Sequence, residues 1–307
     1  ELRSFDDGLT WEYLADGSSS NTHTVLKASM DHTPGTNNLS LAEIRDVRGD
    51  RVALNFSAQD SPIFSWRCNE AYTGVPATDD VVTDYGTNTL PGVAENGANR
   101  ISASGRRAGE GARLFQGATA RIRLPYNALL NFVTPGALVL EMWLKRSVAD
   151  TNYARIGYAM LLTNDPTETL ADGRFTWVIF PDGRTQFTWG TPSGVQSVEQ
   201  IPLLDSVARR VSGVGVLGRW YHLGVHWTLG AQPKLLLNSV PTLSRVVRGT
   251  GLVAPTTTPV ADWTVGNPSA TGTRGLAGSL VNGVRMFTST VTRTLAKIEN
   301  YNRGVGL

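Results

Sequence analysis

Two histidines four residues apart have the residue type and spacing of a metal-binding pair. His222 and His226 form an H-x3-H pair, which on a helix would place both imidazoles beside one ion. The stretch from Trp220 to Trp227 instead alternates as a strand does, with aromatic and aliphatic residues on one side and both histidines on the other. A strand rises about 3.3 Å per residue, so the histidines stand about 13 Å apart and cannot share a metal. We therefore interpret them as sheet residues in a β-hairpin whose second strand is Lys234 to Asn238.

The sequence contains no catalytic motif that we can identify. Glycan-cutting enzymes place paired carboxylates within reach of one bond, but no Glu-x-Asp-x-x-Glu run occurs, and Glu141 is followed in its strand only by Lys145 and Arg146 as charged residues. A Gly-x-Ser-x-Gly motif, a phosphate-binding loop and a Cys/His metal set are also missing. Cys68 lies in a predicted strand, where a small buried apolar role is expected. The sequence predicts a non-enzymatic protein with no catalytic residues.

Composition and charge narrow the classes of partner. The 307 residues carry a formal net charge of +2, which is too balanced for the concentrated basic face of a nucleic-acid-binding protein. A single cysteine excludes an intrachain disulfide, and no apolar run is long enough to span a membrane. We expect a soluble protein that carries no export signal, binds no nucleic acid and does not insert into a membrane.

Glycines and prolines divide the chain into many short apolar segments. The 32 glycines and 15 prolines are spread along the chain rather than clustered, which is typical of an all-β protein with many turns. Stretches with the 3.6-residue period of a helix are scarce, and the clearest is the short segment from Thr292 to Asn300. The sequence predicts an all-β fold with little α-helix.

Residues 1–61 differ from the rest of the chain and are predicted to form an N-terminal β-rich arm. Strands are expected around Trp11 to Leu14, Val25 to Ala28 and Ile44 to Phe56, with a tight turn at Arg48-Gly49-Asp50. The arm is too small to hold a large core alone, so we expect it to add strands to the sheet of a partner. The Arg-Gly-Asp tripeptide also matches a cell-adhesion motif, although the same residues are ordinary turn formers.

Five motifs between residues 62 and 307 resemble, in the same order, those of laminin G-like or concanavalin A-like (pentraxin-like) jelly-roll domains. They are IFSWRCNEAYTGVPATDDVVTDYGTN, GARLFQGATARIRLP, GALVLEMWLKR, GRWYHLGVHW with KLLLNS, and GLAGSLVNGVRMFTSTVTRTLAKIEN. The resemblance implies a two-sheet antiparallel jelly-roll sandwich over residues 62–307. It also implies that Trp143 and Trp220 are core aromatics, with Leu140 or Met142 facing the other way from Trp143.

A hairpin around Asp182-Gly183 contains a candidate carbohydrate site. If these two residues form a type I′ turn, Trp177 lies beside Thr188, with Gln186 on the same mixed face. In lectin-like jelly rolls such a face lines a shallow groove for sugars. We predict Trp177 as a stacking platform, with Gln186 and Thr188 beside it. The alternative is that Trp177 is a core residue, as a Trp in a sandwich usually is.

The resemblance also implies a candidate calcium site. The family often binds calcium through a loop that TDYGTN resembles and through the first Asp of its closing strand. The loop here contains Asp84 and Asn88, but the closing strand has Asn282 where the Asp is usual. Losing one carboxylate weakens a site for a hard cation, and Asp79 and Asp80 are the residues that would compensate. Solvated loop acids are the alternative interpretation, and no other cofactor is indicated.

Two functions fit these features. In the first, the chain is a structural virion protein of a tailed bacteriophage, such as a capsid decoration, fibre or baseplate accessory. The arm would then bind other virion proteins or copies of itself, host-surface glycan would be a further partner, and the protein would join the virion in the host cytoplasm. In the second, it is a carbohydrate-binding adhesin that is not part of a virion. Missing disulfides and a missing export signal favour the first, which is an analogy from fold.

Overall fold

The structure of the chain is a computed structural model, in which the chain divides into two compact units. One unit comprises Glu1–Ser61 with Arg293–Leu307, and the other comprises Pro62–Thr292. The structure describes residues 2–4, 11–14, 22–24, 62–68, 80–86, 88–101, 111–146, 158–201, 203–204, 211–212, 218–238, 240–269, 271 and 274–288.

Three short strands are described in the first unit. Strands β1 (Leu2–Ser4), β2 (Trp11–Leu14) and β3 (Thr22–Thr24) form one antiparallel sheet in that order. The strand predicted around Trp11 to Leu14 is therefore present. The other strands predicted for the arm, its Arg-Gly-Asp turn and the helix predicted at 292–300 lie outside the described residues.

All other described strands belong to the second unit. They are β4 (Phe64–Trp66), β5 (Asp80–Val82), β6 (Gly92–Glu95), β7 (Ala98–Ile101), β8 (Ala112–Phe115), β9 (Arg121–Leu124), β10 (Ala137–Lys145), β11 (Ala159–Thr163), β12 (Phe175–Ile179), β13 (Thr185–Thr191), β14 (Gly194–Gln200), β15 (Leu203–Leu204), β16 (Val211–Ser212), β17 (Trp220–Thr228), β18 (Lys234–Leu237), β19 (Val240–Pro241), β20 (Ser244–Arg248), β21 (Trp263–Gly266) and β22 (Leu280–Phe287).

Two large antiparallel sheets make up the second unit. One has eight strands, in the order β19-β18-β17-β10-β22-β8-β7, with β4 also paired to β22. The other has nine strands, in the order β20-β14-β13-β12-β11-β21-β9-β6-β5. Strands β15 and β16 form a separate small pair. The prediction of an all-β fold built from two antiparallel sheets is confirmed.

Helix is nearly absent from the part of the chain that the structure describes. The single helical element there is a 3-10 turn, Ala128–Leu130, in which the Leu129 N–H donates to the side-chain oxygen of the capping residue Asn127. None of the described helical residues form a segment long and apolar enough to cross a membrane.

Aromatic side chains from both sheets meet in the core between them. The ring of Trp227, on β17 of the eight-stranded sheet, lies 4.8 Å from Trp189 and 5.6 Å from Phe187, both on β13 of the nine-stranded sheet. Phe132 and Phe175 join the same cluster. Each such fully buried side chain contributes about 1.5–3 kcal/mol through the hydrophobic effect. The inward faces of the two sheets therefore stabilise one shared core.

Strand β10 faces the core in the opposite sense to the sequence prediction. Leu140 and Met142 belong to the inter-sheet core, whereas Trp143 lies on the other face, where its ring is 5.3 Å from that of His222. Trp143 is buried, as predicted, but the prediction that it lies between the two sheets was wrong. Alternation in a strand lets one face hold Leu138, Leu140, Met142 and Leu144, and these four aliphatic residues bury more apolar surface than the mixed set opposite them.

The hairpin of β17 and β18 was predicted correctly, apart from its first residue. Leu223, Val225 and Trp227 point into the core, and His226 is paired with Lys234 across the hairpin. Trp220, expected in the core, is half-buried at the start of β17 and belongs to the outward face, because it is an even number of residues from the histidines. Cys68 is buried, as predicted, but it lies after the end of β4 rather than in a strand.

Candidate functional site

The turn between β12 and β13 sets which residues reach the outer face of the nine-stranded sheet. The Phe180 N–H donates to the Arg184 carbonyl at 2.9 Å, and the Gly183 N–H donates to the Phe180 carbonyl at 2.9 Å. Gly183 has a φ of 86°, in the left-handed region that favours glycine. These contacts define a three-residue loop of residues 181–183 rather than the two-residue turn that was predicted.

The longer loop shifts the register by one residue and moves Trp177 into the core. Trp177 is paired with Phe187 rather than Thr188, and its side chain is 0% exposed. The prediction that Trp177 is a stacking platform for a sugar was therefore wrong. A one-residue slip sends the whole hydrophobic set of a strand to the other face, so the observed register is the one that buries both of these aromatic rings.

A pocket of about 480 Å³ lies on the outer face of the nine-stranded sheet. This volume is within the usual range for small-molecule sites. Its floor contains the predicted residues Gln186 and Thr188. The pocket is lined by Tyr158, Met160, Thr167, Glu168, Leu170, Thr176, Val178, Gln186, Thr188 and Arg274. Of the three residues predicted for a sugar site, the structure brings two together here.

The polar floor of the pocket is held by one serine. The Gln186 Nε2 donates to the Ser197 Oγ at 2.6 Å, and the Thr188 Oγ1 lies 3.0 Å from the same atom. Ser197 belongs to β14, directly opposite Thr188 in the sheet. Because strands fix the backbone beneath both side chains, the amide and the hydroxyl present their remaining hydrogen-bonding capacity to the pocket in a preset geometry.

The wall of the pocket consists of Tyr158, Glu168 and Arg274. The Tyr158 hydroxyl donates to the Glu168 Oε2 at 3.4 Å, and the Arg274 Nη1 forms an ion pair with that carboxylate oxygen and donates to the Tyr158 hydroxyl. The Arg274 guanidinium carbon lies 5.1 Å from the centre of the Tyr158 ring. None of the three residues is in a motif, so no local pattern in the sequence pointed to them.

A buried aspartate shapes the loop that carries Glu168. The Asp165 Oδ1 accepts hydrogen bonds from the Thr167 N–H at 3.3 Å and the Thr167 hydroxyl at 2.9 Å, and the Oδ2 accepts from the Leu170 N–H at 2.7 Å. Glu168 and Leu170 both have positive φ values, 54° and 51°. The turn-forming sequence TNDPTETLADG was the available signal that this segment is a built loop.

The same loop is held at its far end by a second aspartate. The Asp172 carboxylate accepts hydrogen bonds from the Thr256 N–H at 3.0 Å and from the hydroxyls of Thr256 and Thr257 at 2.7 Å each. Burial by itself raises the pKa of Asp172, but the hydrogen bonds from Thr257 and Thr256 outweigh it and lower the pKa below its ordinary value. The carboxylate form therefore holds this end of the loop.

The residues predicted for calcium take part in loop and strand contacts. The Asp84 Oδ1 accepts from the backbone N–H groups of Ser65 and Gly86 at 2.7 Å each, and its Oδ2 accepts from that of Leu90 at 2.7 Å. The amide of Asn88 donates to the Ile63 carbonyl at 2.9 Å, and that of Asn282 donates to the Gly111 carbonyl at 3.0 Å.

These contacts fit a carboxylate that fixes its own loop. Among the described residues, no group of three His, Cys, Asp or Glu side chains is arranged to hold a metal. The side chains of Asp79 and Asp80 lie outside the described set. Calcium binding at Asp84, Asn88 and Asn282 stays a prediction.

A second polar group, the carboxylate–histidine cluster of Glu141, His222 and His226, lies on the outward face of the eight-stranded sheet. Glu141 is directly opposite Gly224, which has no side chain to fill the space, and each histidine is diagonal to it. The His226 Nε2 is 3.3 Å from one Glu141 oxygen, and the His222 Nε2 is 3.9 Å from the other. Glu141 and His222 are 0% exposed and the His226 side chain is 17% exposed, so the carboxylate and one imidazole are closed to a ligand and the other imidazole is half-buried.

Solved structures of toxin binding domains share this fold. The binding domain of Paraclostridial Mosquitocidal Protein 1 matches with a TM-score of 0.56 and 13% identity, over 80% of this chain and 52% of that chain. The botulinum neurotoxin serotype D binding domain matches with a TM-score of 0.51 and 12% identity, over 80% and 52%. Its complex with N-acetylneuraminic acid matches with a TM-score of 0.52 and 12% identity, over 81% and 52%.

These matches concern the fold and only part of each toxin domain. The chain spans about half the length of the domains that it matches. No protein-family model and no curated protein matches the sequence. At 12–13% identity, the chain shares with these toxin binding domains the fold alone, a concanavalin-like, jelly-roll β-sandwich.

Proposed function

We propose that the chain is a carbohydrate-binding module whose sugar site is the pocket on the outer face of the nine-stranded sheet. The observation that carries this proposal is the lining of the pocket. Within about 480 Å³ it combines an aromatic ring, a side-chain amide and several hydroxyls with three aliphatic or thioether side chains. A sugar presents the complementary surface, since it has apolar C–H patches beside a dense set of hydroxyls.

Each part of the lining has a role toward such a ligand. Tyr158 supplies a ring with an apolar face, with Met160 and Val178 as apolar surroundings. Gln186 supplies an amide oxygen that accepts and an N–H that donates, and Thr188 supplies a hydroxyl that does both. These neutral groups donate and accept hydrogen bonds, as the hydroxyls of a sugar do. A purely apolar ligand would leave them unpaired, so the lining favours sugars.

The solved neighbours support binding rather than another kind of activity. All three are described as binding or ligand-binding domains, and one was solved with N-acetylneuraminic acid. Since the identity is 12% for that complex, the support is an analogy at the level of the fold. The analogy is in keeping with a sugar site in the pocket described above.

The acids at the pocket favour binding over glycoside hydrolysis. Hydrolysis by the usual mechanism needs two carboxylates, about 5–10 Å apart, on either side of one bond. Among the described residues that line the pocket, Glu168 is the sole carboxylate, and it is paired with Arg274. A single carboxylate whose charge is neutralised by an arginine is suited to positioning a ligand rather than to cleaving it.

The test is a glycan array followed by titration of the best ligand. We expect the purified chain to bind at least one class of saccharide, and Gln186→Ala, Thr188→Ala and Tyr158→Ala each to weaken that binding about tenfold, the loss of one or two ligand hydrogen bonds or a stacking contact. Gln232→Ala, an exposed glutamine on the β17–β18 turn, is the matched control and should bind as the native chain does. An array without a bound saccharide, or pocket variants that bind normally, would overturn the proposal.

The virion role and the N-terminal attachment arm stay predictions. The toxin domains described above are not virion proteins, and the arm lies almost wholly outside the described residues. Deleting residues 1–60 tests both ideas, because an attachment arm can be removed without unfolding the sandwich. Loss of assembly with a cooperative melt retained would favour the virion role, whereas aggregation of the truncated chain would place the arm in the same folding unit as the sandwich.

A further inference from the structure

The charged residues at the pocket are the groups that an acidic sugar would meet. Of the described residues that line it, two are charged, Arg274 and Glu168, and they form an ion pair with each other. Their side chains are 37% and 26% exposed, so both still reach the opening of the pocket. The described lining therefore carries no net charge, and Arg274 already has an anionic partner.

Arg274 is held in place from a second direction. Its guanidinium carbon is 5.1 Å from the Tyr158 ring centre, and its Nη1 donates to the Tyr158 hydroxyl, which in turn donates to Glu168. Its backbone is fixed as well, because the Met160 N–H donates to the Arg274 carbonyl at 2.7 Å. To bind an anionic ligand, the Arg274 guanidinium would have to give up its contacts with both the Glu168 carboxylate and the Tyr158 hydroxyl.

Glu168 also stands where an incoming carboxylate would compete. Its loop is fixed by the three hydrogen bonds that Asp165 accepts, so the Glu168 backbone cannot swing away easily. Two carboxylates at one guanidinium repel each other, and a like-charge contact is costly where water is partly excluded. Neutral hydroxyls avoid that repulsion, because they can donate to Glu168 and accept from Arg274.

We infer that the pocket selects neutral saccharide units and that Glu168 is the specificity-determining residue that excludes carboxylated ones. This inference rests on the proposed function and deepens it by naming the ligand class. It also separates this site from the acidic-sugar complex of the structural neighbour, whose ligand is N-acetylneuraminic acid.

The experiment compares pairs of sugars that differ by one carboxylate. The best neutral ligand from the array is titrated beside its uronic acid counterpart and beside N-acetylneuraminic acid, using ligand-observed NMR or calorimetry. We expect the native chain to prefer the neutral sugar at least about tenfold, and Glu168→Gln to reduce that ratio to about threefold or less. Asp262→Asn removes one carboxylate from an ion pair with Arg123 outside the pocket and should leave the ratio unchanged.

The outcomes distinguish this inference from the function on which it rests. Equal or tighter binding of the carboxylated sugar by the native chain overturns the inference while leaving carbohydrate binding intact. An unchanged ratio in Glu168→Gln removes Glu168 as the selecting residue. Absence of any bound saccharide on the array overturns the proposed function, and this inference with it.

Discussion

The outward faces of the two sheets carry polar groups of very different accessibility. On the eight-stranded sheet, Glu141 and His222 are 0% exposed and form the carboxylate–histidine cluster with His226. On the nine-stranded sheet, Gln186 and Thr188 line an open pocket of about 480 Å³. The first face has the residue types that catalysis and metal binding use, and the second has ordinary amides and hydroxyls.

This contrast shows that the type of a polar residue is a weaker guide to function than whether a ligand can reach it. A carboxylate between two imidazoles would be a strong candidate site if a substrate could reach it. Here the Glu141 carboxylate lies 3.3 and 3.9 Å from the two imidazoles and is itself fully buried, so the cluster contributes to the packing of β10 against β17. The residues that line the open pocket from β12 and β13, such as Thr176, Gln186 and Thr188, carry ordinary amides and hydroxyls.

The largest expected effect tests which face of β12 is the core. Trp177→Ala should lower the free energy of unfolding by about 3–5 kcal/mol, because it leaves a cavity among buried aromatic rings. Urea denaturation measures this loss, and Thr176→Ser, on the pocket side of the same strand, is the control with a small effect. Weakened sugar binding at unchanged stability would instead show that Trp177 contacts the ligand.

The next prediction contrasts two acids, one in each outward face. Glu141→Ala should lower the free energy of unfolding by about 3 kcal/mol, because it strands buried polar partners, while saccharide binding by the folded protein stays normal. Glu168→Ala, at the partly exposed ion pair of the pocket, should cost less than about 1 kcal/mol. Urea denaturation of the two variants and of the native chain measures both losses of stability. Equal losses would mean that the two faces do not differ as described.

A glycine beneath the pocket loop gives an intermediate effect. A Cβ at Gly190 would lie 2.1 Å from the Leu170 carbonyl oxygen, which is backbone and cannot rotate away. Gly190→Ala should therefore cost about 1–3 kcal/mol and weaken sugar binding by displacing the loop. Gly117→Ala, where a Cβ would meet nothing within 4 Å, is the matched control. Normal binding and stability in Gly190→Ala would show that the loop does not depend on this contact.

The smallest effect is a pH dependence at the far end of the same loop. The pKa of Asp172 is lowered in the folded chain, so its contribution to stability is present above its ordinary pKa and is lost as the pH falls through the lower, folded value. We expect the difference in melting temperature between the native chain and Asp172→Asn to shrink below about pH 4. Thermal melts from pH 7 to pH 3 measure it. A difference that stays constant over this range would contradict the assignment.

Much of the fold could be predicted from the sequence because its signals are local. Alternation over residues 220–227 placed Leu223, Val225 and Trp227 on one side of a strand, and the structure confirms it. Alternation did not reveal which side of a strand faces the core. On β10 the family resemblance predicted that Trp143 faces the second sheet. The residues that do so are the apolar ones that alternate with it, such as Leu140 and Met142.

The candidate site could be predicted only in part because it depends on contacts between distant segments. The turn between β12 and β13 is one residue longer than predicted, and this difference places Trp177 in the core instead of on the outer face. The register of a hairpin depends on both the turn geometry and the pairing of apolar side chains. Gln186 and Thr188 still reached the pocket, because they alternate with Phe187 on β13 in either register. Arg274 is 116 residues away from its partner Tyr158, a separation that no local pattern spans.

The class of the fold follows from the spacing of the turns and from the two-residue period of the apolar strands. Which outward face is open depends on the packing of segments that are far apart in the chain. The buried cluster brings Glu141 to two histidines more than 80 residues along the chain, and the pocket brings a tyrosine, a loop glutamate and an arginine onto the outer sheet face. The reason is physical, since periodicity records which residues share a face, whereas access depends on what packs over that face.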